Sequence, residues 1–120
     1  MKNNSDAIKH IERGVERYML RLETFKKDLA QAVDPITVLN DAEWYLSDAA
    51  KIRVYRQAIK DLQALDEDAP VDVLLTSYRK KQAALIYKSI SADPITNATN
   101  HYLLQATADI IEILEYLNEI

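Results

Sequence analysis

The sequence predicts an all-α protein of four long helices, arranged as an antiparallel helical bundle or as paired helical hairpins within one domain of 120 residues. Apolar residues recur in steps of three and four, and no segment shows the period-two alternation of a half-buried strand. The chain contains one glycine and three prolines. Each proline follows an aspartate that can cap a helix start, namely Asp34, Asp68 or Asp93.

The first predicted helix covers residues 5–33. Its apolar positions form an a/d seam over more than three heptads, and charged residues fill the positions between them. The seam consists of Ile8, Ile11, Val15, Tyr18, Leu22, Phe25, Leu29 and Ala32. Gly14 lies inside this helix, where glycine costs up to about 1 kcal/mol relative to alanine. Close approach of another helix would explain this glycine, and so would chance.

The second predicted helix covers residues 35–65. The sequence Ser47-Asp48 could cap a second start, so the pattern allows a kink or break near residue 47. Trp44 and Tyr45 are expected to anchor packing. The predicted inner face is Leu39, Ala42, Leu46, Ala49, Ile52, Ile59 and Leu62.

The third and fourth predicted helices cover residues 70–90 and 94–119. The inner face of the third is Val71, Leu74, Leu75, Tyr78, Leu85, Ile86 and Ile90. The fourth helix, which begins with Ile95 on its inner face, is apolar over a wide arc, so it is either central or part of a dimer interface. We predict that Leu104, Ile111 and Leu114 contribute to such an interface.

The residue types argue against catalysis and against a cofactor. The chain has no cysteine, which excludes disulfides, thiolate catalysis and cysteine-held zinc or iron–sulfur sites. Neither His10 nor His101 has the Glu-x-x-His spacing of di-metal bundles. A phosphate-binding loop needs several glycines, and only Gly14 is present. We therefore predict no enzyme activity, no metal, no cofactor and no small-molecule substrate.

The start of the chain lacks the apolar stretch of a signal peptide. No run approaches the ~18 apolar residues of a membrane span. We therefore expect a cytoplasmic protein that does not enter the membrane.

Charge is unevenly distributed along a chain of net charge -4. The last basic residue is Lys88, and the acids beyond it form either a solvated face or a docking surface for a basic partner. The candidate partner-binding acids are Asp109, Glu112, Glu115 and Glu119. Candidate phosphate contacts are Arg79, Lys80, Lys81 and Lys88, with a second basic group at Lys51, Arg53, Arg56 and Lys60. An acidic pI near 5.1 makes nucleic-acid binding the weaker interpretation.

The second half of the chain contains an ordered series of motifs: residues 54–62, the acidic turn at residues 66–70, and residues 73–82. Asp93-Pro94-Ile95 and Tyr102-Leu103 then open the last helix. This order resembles the YlbF/YmcA family of small helical regulators from Gram-positive bacteria. The resemblance implies a non-catalytic, self-associating protein that binds other proteins and affects regulation, including RNA turnover, competence or biofilm formation.

Three functions remain open from the sequence. The first is a homodimeric, regulatory protein that binds other proteins. The second is a small phage or mobile-element protein that inhibits a host protein through an acidic helical face. The third is a helical nucleic-acid-binding protein.

Overall fold

The computed structural model describes residues 3–90 and 93–119. These residues form four helices and no strand: α1 (Asn4–Gln31), α2 (Pro35–Gln63), α3 (Asp72–Ser89) and α4 (Pro94–Glu119). The predicted all-α class is confirmed. None of the four helices combines the length and the hydropathy that crossing a bilayer requires, as far as the described residues go.

The helices form two antiparallel hairpins that meet along α2 and α4. The main helix pairs are α1 with α2, α3 with α4, and α2 with α4, and α1 touches α4 less extensively. Trp44 and Tyr102 line one pocket, while Tyr55 bonds to Asp109 further along both helices, so α2 and α4 run parallel. The molecule is flattened, with extents of 51 × 34 × 19 Å.

Two of the three predicted helix starts are confirmed. Asp34 Oδ2 accepts the N–H of Thr37 at 3.1 Å, and Asp93 Oδ1 accepts the N–H of Thr96 at 2.9 Å. In both pairs the threonine hydroxyl also donates to the aspartate. The hydrogen bonds from Thr96 lower the pKa of Asp93, because they stabilise its charged form.

The third predicted helix start is wrong. Helix α3 begins at Asp72 rather than Pro70, and its cap residue Val71 makes no side-chain capping bond. The preceding turn is instead held by Asn4, whose Nδ2 donates to the carbonyl oxygens of Asp66 at 2.9 Å and Ala69 at 3.1 Å. Because this turn docks on the start of α1, the chain enters α3 two residues later than its local pattern indicates.

Helix α2 continues without a break through residue 47. Ser47 and Asp48 are buried within it, at 7% and 1% exposure. The side chain that could have capped a second start, Asp48, lies instead against Arg21 of α1.

The core lies in the half of the molecule where α1 and α3 begin and α2 and α4 end. Its buried apolar residues are Ala7, Ile11, Tyr18, Ile52, Tyr55, Ala58, Leu62, Val71, Leu75, Tyr78, Ala106, Ile110, Ile111 and Leu114. Two of these correct the sequence analysis: Ile111 is 7% and Leu114 is 0% exposed within one chain, so neither has surface left for a second copy. Leu104 is half-buried, and its role at an interface stays a prediction.

Helix α1 packs closely against α2 at Gly14. A Cβ atom there would lie 3.0 Å from Tyr55 Cε2 and 3.3 Å from Tyr55 Cδ2. The Tyr55 ring is held on two sides, by an edge contact with the Tyr18 ring at 5.7 Å between centroids and by a 2.7 Å hydrogen bond from its hydroxyl to Asp109 Oδ2. Close approach, rather than chance, therefore explains the glycine.

We expect Gly14→Ala to lower the free energy of unfolding by about 1–2 kcal/mol, because overpacking against a held ring outweighs the helix propensity of alanine. Urea denaturation measures the change. In a Tyr55→Leu background, where the ring is gone, the same substitution should be neutral or stabilising. A stabilising effect in the wild-type background would show that Tyr55 moves freely and that the contact imposes no constraint.

Candidate functional site

Exposed large apolar side chains concentrate at one end of the molecule. Among the described residues, all of them except Val73, Tyr116 and the mid-helix residues Met19 and Leu20 lie where α1 and α3 end and α2 and α4 begin. We call this surface the apolar end. It consists of Val33, Ile36, Val38, Leu39, Trp44, Leu46, Ile86, Tyr87, Ile90 and Ile95.

The apolar end also contains long uncharged stretches. Residues 35–40, 82–87 and 94–108 include no Asp, Glu, Lys or Arg. Val33 and Ile95 are 95% and 81% exposed. Large exposed apolar patches on a folded chain mark interaction sites or aggregation liabilities, whereas single exposed apolar residues need no explanation.

Sequence periodicity misassigned several of these residues to the core. Leu39 and Leu46 of α2, and Ile86, Ile90 and Ile95 around the second hairpin, were expected on inner faces but are exposed. A helical period identifies which face is apolar. It does not identify whether the partner for that face lies in the same chain.

A buried carboxylate lies between the core and the apolar end. Asp48 Oδ2 is 3.1 Å from Arg21 Nε, yet neither oxygen of Asp48 accepts a well-aligned hydrogen bond from any described group. Burial raises the pKa of Asp48, and the opposing attraction of Arg21, Lys51 and Arg17 is the smaller effect. The geometry is that of a buried, incompletely satisfied carboxylate paired with a partly exposed guanidinium.

Aromatic rings surround the Arg21 partner of this pair. The Arg21 guanidinium carbon lies 5.6 Å from the ring centroid of Tyr18, 5.7 Å from that of Phe25 and 5.5 Å from that of Trp44. Phe25 and Trp44 stack on each other at 6.3 Å. Perturbed carboxyl groups also occur in active sites. Here, however, the Arg21 guanidinium already contacts a carboxylate and three aromatic rings, and Asp48 is almost inaccessible to solvent.

Two of the four candidate acids of α4 already have partners within the chain. Asp109 accepts a hydrogen bond from the Tyr55 hydroxyl, and burial, together with this bond, raises the pKa of Tyr55. Glu115 pairs with Arg79 at 3.1 Å on the side of α3. Glu112 and Glu119 are exposed.

The candidate phosphate contacts are likewise divided. Lys81 and Lys88 line a groove between α2, α3 and α4, together with Arg53 from the second basic group. Arg79 is engaged by Glu115, and Lys80 is exposed outside the groove lining. The grouping of Arg53 with Lys81 and Lys88 depends on hairpin packing, so no local sequence signal could have indicated it.

The two histidines lie on different parts of the surface. His10 borders a pocket that Lys51, Asp109 and Glu112 also line. His101 is exposed, with its ring against Tyr102 at 5.5 Å between centroids. Across residues 3–90 and 93–119, no three His, Asp or Glu side chains are placed to hold a metal ion.

The fold and its surfaces define an all-helical protein with a one-ended core and an exposed apolar end. In comparisons with protein-family models, curated proteins and solved structures, nothing matches this chain. The resemblance to the YlbF/YmcA family therefore stays a prediction that depends on the motifs described above.

We expect the free energy of unfolding of Asp48→Asn, relative to that of wild type, to be higher at neutral pH than in acid. Burial raises the folded-state pKa of Asp48, so the folded chain holds this proton more tightly than the unfolded chain. Wild-type stability therefore falls as pH rises from the unfolded pKa through the raised folded pKa. The neutral amide avoids that loss, so the stability of Asp48→Asn relative to wild type should increase over this interval.

Thermal unfolding of both proteins across acidic to neutral pH measures this difference, with the exposed Glu23→Gln as a control for the loss of one charge near the same end. The opposite trend, in which the variant loses stability relative to wild type as pH rises, would show that attraction to Arg21 outweighs burial.

Proposed function

We propose that this chain is a non-enzymatic, cytoplasmic interaction protein that self-associates through the apolar end and regulates the proteins it binds. The observation that supports this proposal is the separation of two apolar regions. One is packed within the chain as the core, and the other remains exposed at the opposite end. The expected regulatory role follows the resemblance to the YlbF/YmcA family.

A second copy of the chain suits the apolar end. In a two-fold dimer the same patch faces itself, so each charge in the patch meets like charges near the axis. The uncharged stretches at residues 35–40, 82–87 and 94–108 avoid this repulsion. Homodimer interfaces are also the most apolar class of protein interface.

Inhibition of a host protein through the acidic residues of α4 is the alternative. It is favoured by the lack of Lys and Arg after residue 88. Two of its four acids, Asp109 and Glu115, already have partners within the chain. A basic partner would therefore have to compete for Asp109 and Glu115, and would meet Glu112 and Glu119 as exposed acids.

We expect the wild-type chain to dimerise in the micromolar range, and Ile36→Asp and Ile95→Asp to raise the dissociation constant at least about tenfold. A buried side chain of this size contributes about 1.5–3 kcal/mol, and a tenfold change corresponds to about 1.4 kcal/mol. Both residues are highly exposed in the single chain, at 70% and 81%. Sedimentation equilibrium measures the change.

Val73→Asp is the matched control, because Val73 is equally apolar and 78% exposed but lies at the core end. It should leave the dissociation constant unchanged, and circular dichroism should show all three variants folded. The proposal would be contradicted by a wild-type chain that is monomeric throughout the micromolar range. An equally large increase of the dissociation constant in Val73→Asp would also contradict it.

A further inference from the structure

Two adjacent grooves with apolar floors lie on either side of one stripe of α2. The first, of about 380 Å³, runs between α2, α3 and α4. Its apolar floor is formed by Val54, Leu85 and Leu103, and its cations are Arg53, Lys81 and Lys88.

The second groove, of about 440 Å³, lies between α1 and α2. Met19, Leu22 and Ile52 supply its apolar surface, and Arg53, Arg56 and Lys60 supply its cations. Arg53 and Gln57 line both grooves, so the two are neighbours on one surface. We call this surface the basic face, defined by Arg53, Arg56, Lys60, Lys81 and Lys88.

Within the described residues, the cations of the basic face form no ion pair with a carboxylate. No Asp or Glu is among the described residues that line either groove. The ion pairs seen in the described residues use Arg21 and Arg79 instead. Asp61 lies beside the surface, but its two oxygens already accept from Gln57 Nε2 at 2.9 Å and from the Tyr78 hydroxyl at 2.8 Å.

We propose that the basic face binds an acidic amphipathic helix of a partner protein. The groove floors would take the apolar side chains of that helix, as in other helix-in-groove complexes. Lys81 and Lys88, seven residues apart on α3, span about 10 Å, and so do Arg53 and Lys60 on α2. Each of these two pairs of cations therefore matches two carboxylates spaced two turns apart on a bound helix.

A helix fits the basic face better than a nucleic acid does. Single-stranded nucleic acids are bound by aromatic stacking platforms in a positively charged groove. The aromatic residue among the described lining residues, Tyr78, is 2% exposed, and Lys81 Nζ covers its ring at 4.6 Å from the centroid. A phosphodiester backbone also has no apolar groups for the groove floors, and the whole chain carries a net charge of -4.

Fluorescence anisotropy with a labelled synthetic peptide tests the proposal. The probe is an amphipathic helix of leucine and glutamate about five turns long. One control peptide replaces every glutamate with glutamine, and another replaces every leucine with serine. We expect the probe to bind, and both control peptides to bind at least about tenfold more weakly, since charge and apolar burial both contribute.

Protein variants distinguish binding in the grooves from a general effect of the protein's charge on peptide binding. Arg53→Glu combined with Lys88→Glu should weaken probe binding at least about tenfold. Lys80→Glu reverses one charge, as each member of that pair does, at an exposed position of α3 outside the groove linings, and should change binding less than about twofold. Ile36→Asp should bind the probe as wild type does, because it alters the apolar end alone.

Three results would overturn the proposal. The first is no binding of the probe at low salt. The second is equal weakening by Lys80→Glu and by the Arg53 and Lys88 pair of substitutions. The third is tighter binding of a single-stranded oligouridylate than of the probe, which would assign the basic face to nucleic acid. None of these results depends on whether the chain dimerises.

Discussion

The contacts of Tyr55 determine how the two hairpins meet. Its ring lies over Gly14 and against Tyr18, which joins α1 to α2, and its hydroxyl bonds to Asp109, which joins α2 to α4. Because α2 and α4 are parallel at this contact, both hairpin tips lie at the same end of the molecule. This alignment brings the exposed apolar residues of both tips to one end of the molecule, and it brings Arg53 of α2 beside Lys88 of α3.

Polar contacts reinforce the core end far more than the apolar end. Asn4 is 4% exposed and binds the turn before α3, and Tyr78 donates to Asp61 across α2 and α3. At the apolar end, the capping bonds of Asp34 and Asp93 stay within single helix starts. These polar contacts between helices thus lie in one half of the molecule, and most of the exposed large apolar side chains lie in the other.

The predictable parts of the fold are those that local chemistry determines. Asp34 and Asp93 cap helices because the acceptor and its donors lie three residues apart. The start of α3 was mispredicted because a residue more than sixty positions away, Asn4, holds the turn. Long-range packing also explains why Ile111 and Leu114 are buried. The apolar face of α4 that carries them packs against other helices of the same chain. The basic face likewise could not be predicted, because helix packing brings Arg53 and Lys88 together and the apolar periodicity of the sequence does not indicate which helices pack.

The one-ended core has a thermodynamic consequence for the hairpin tips. Segments with few buried contacts open locally at low free energy, so amide hydrogens near Ile36 and Ile95 should exchange faster than those near Leu62 and Ile110. Any partner that covers the tips adds its binding free energy to their closed state. Such a partner would therefore slow amide exchange at the tips in proportion to its occupancy.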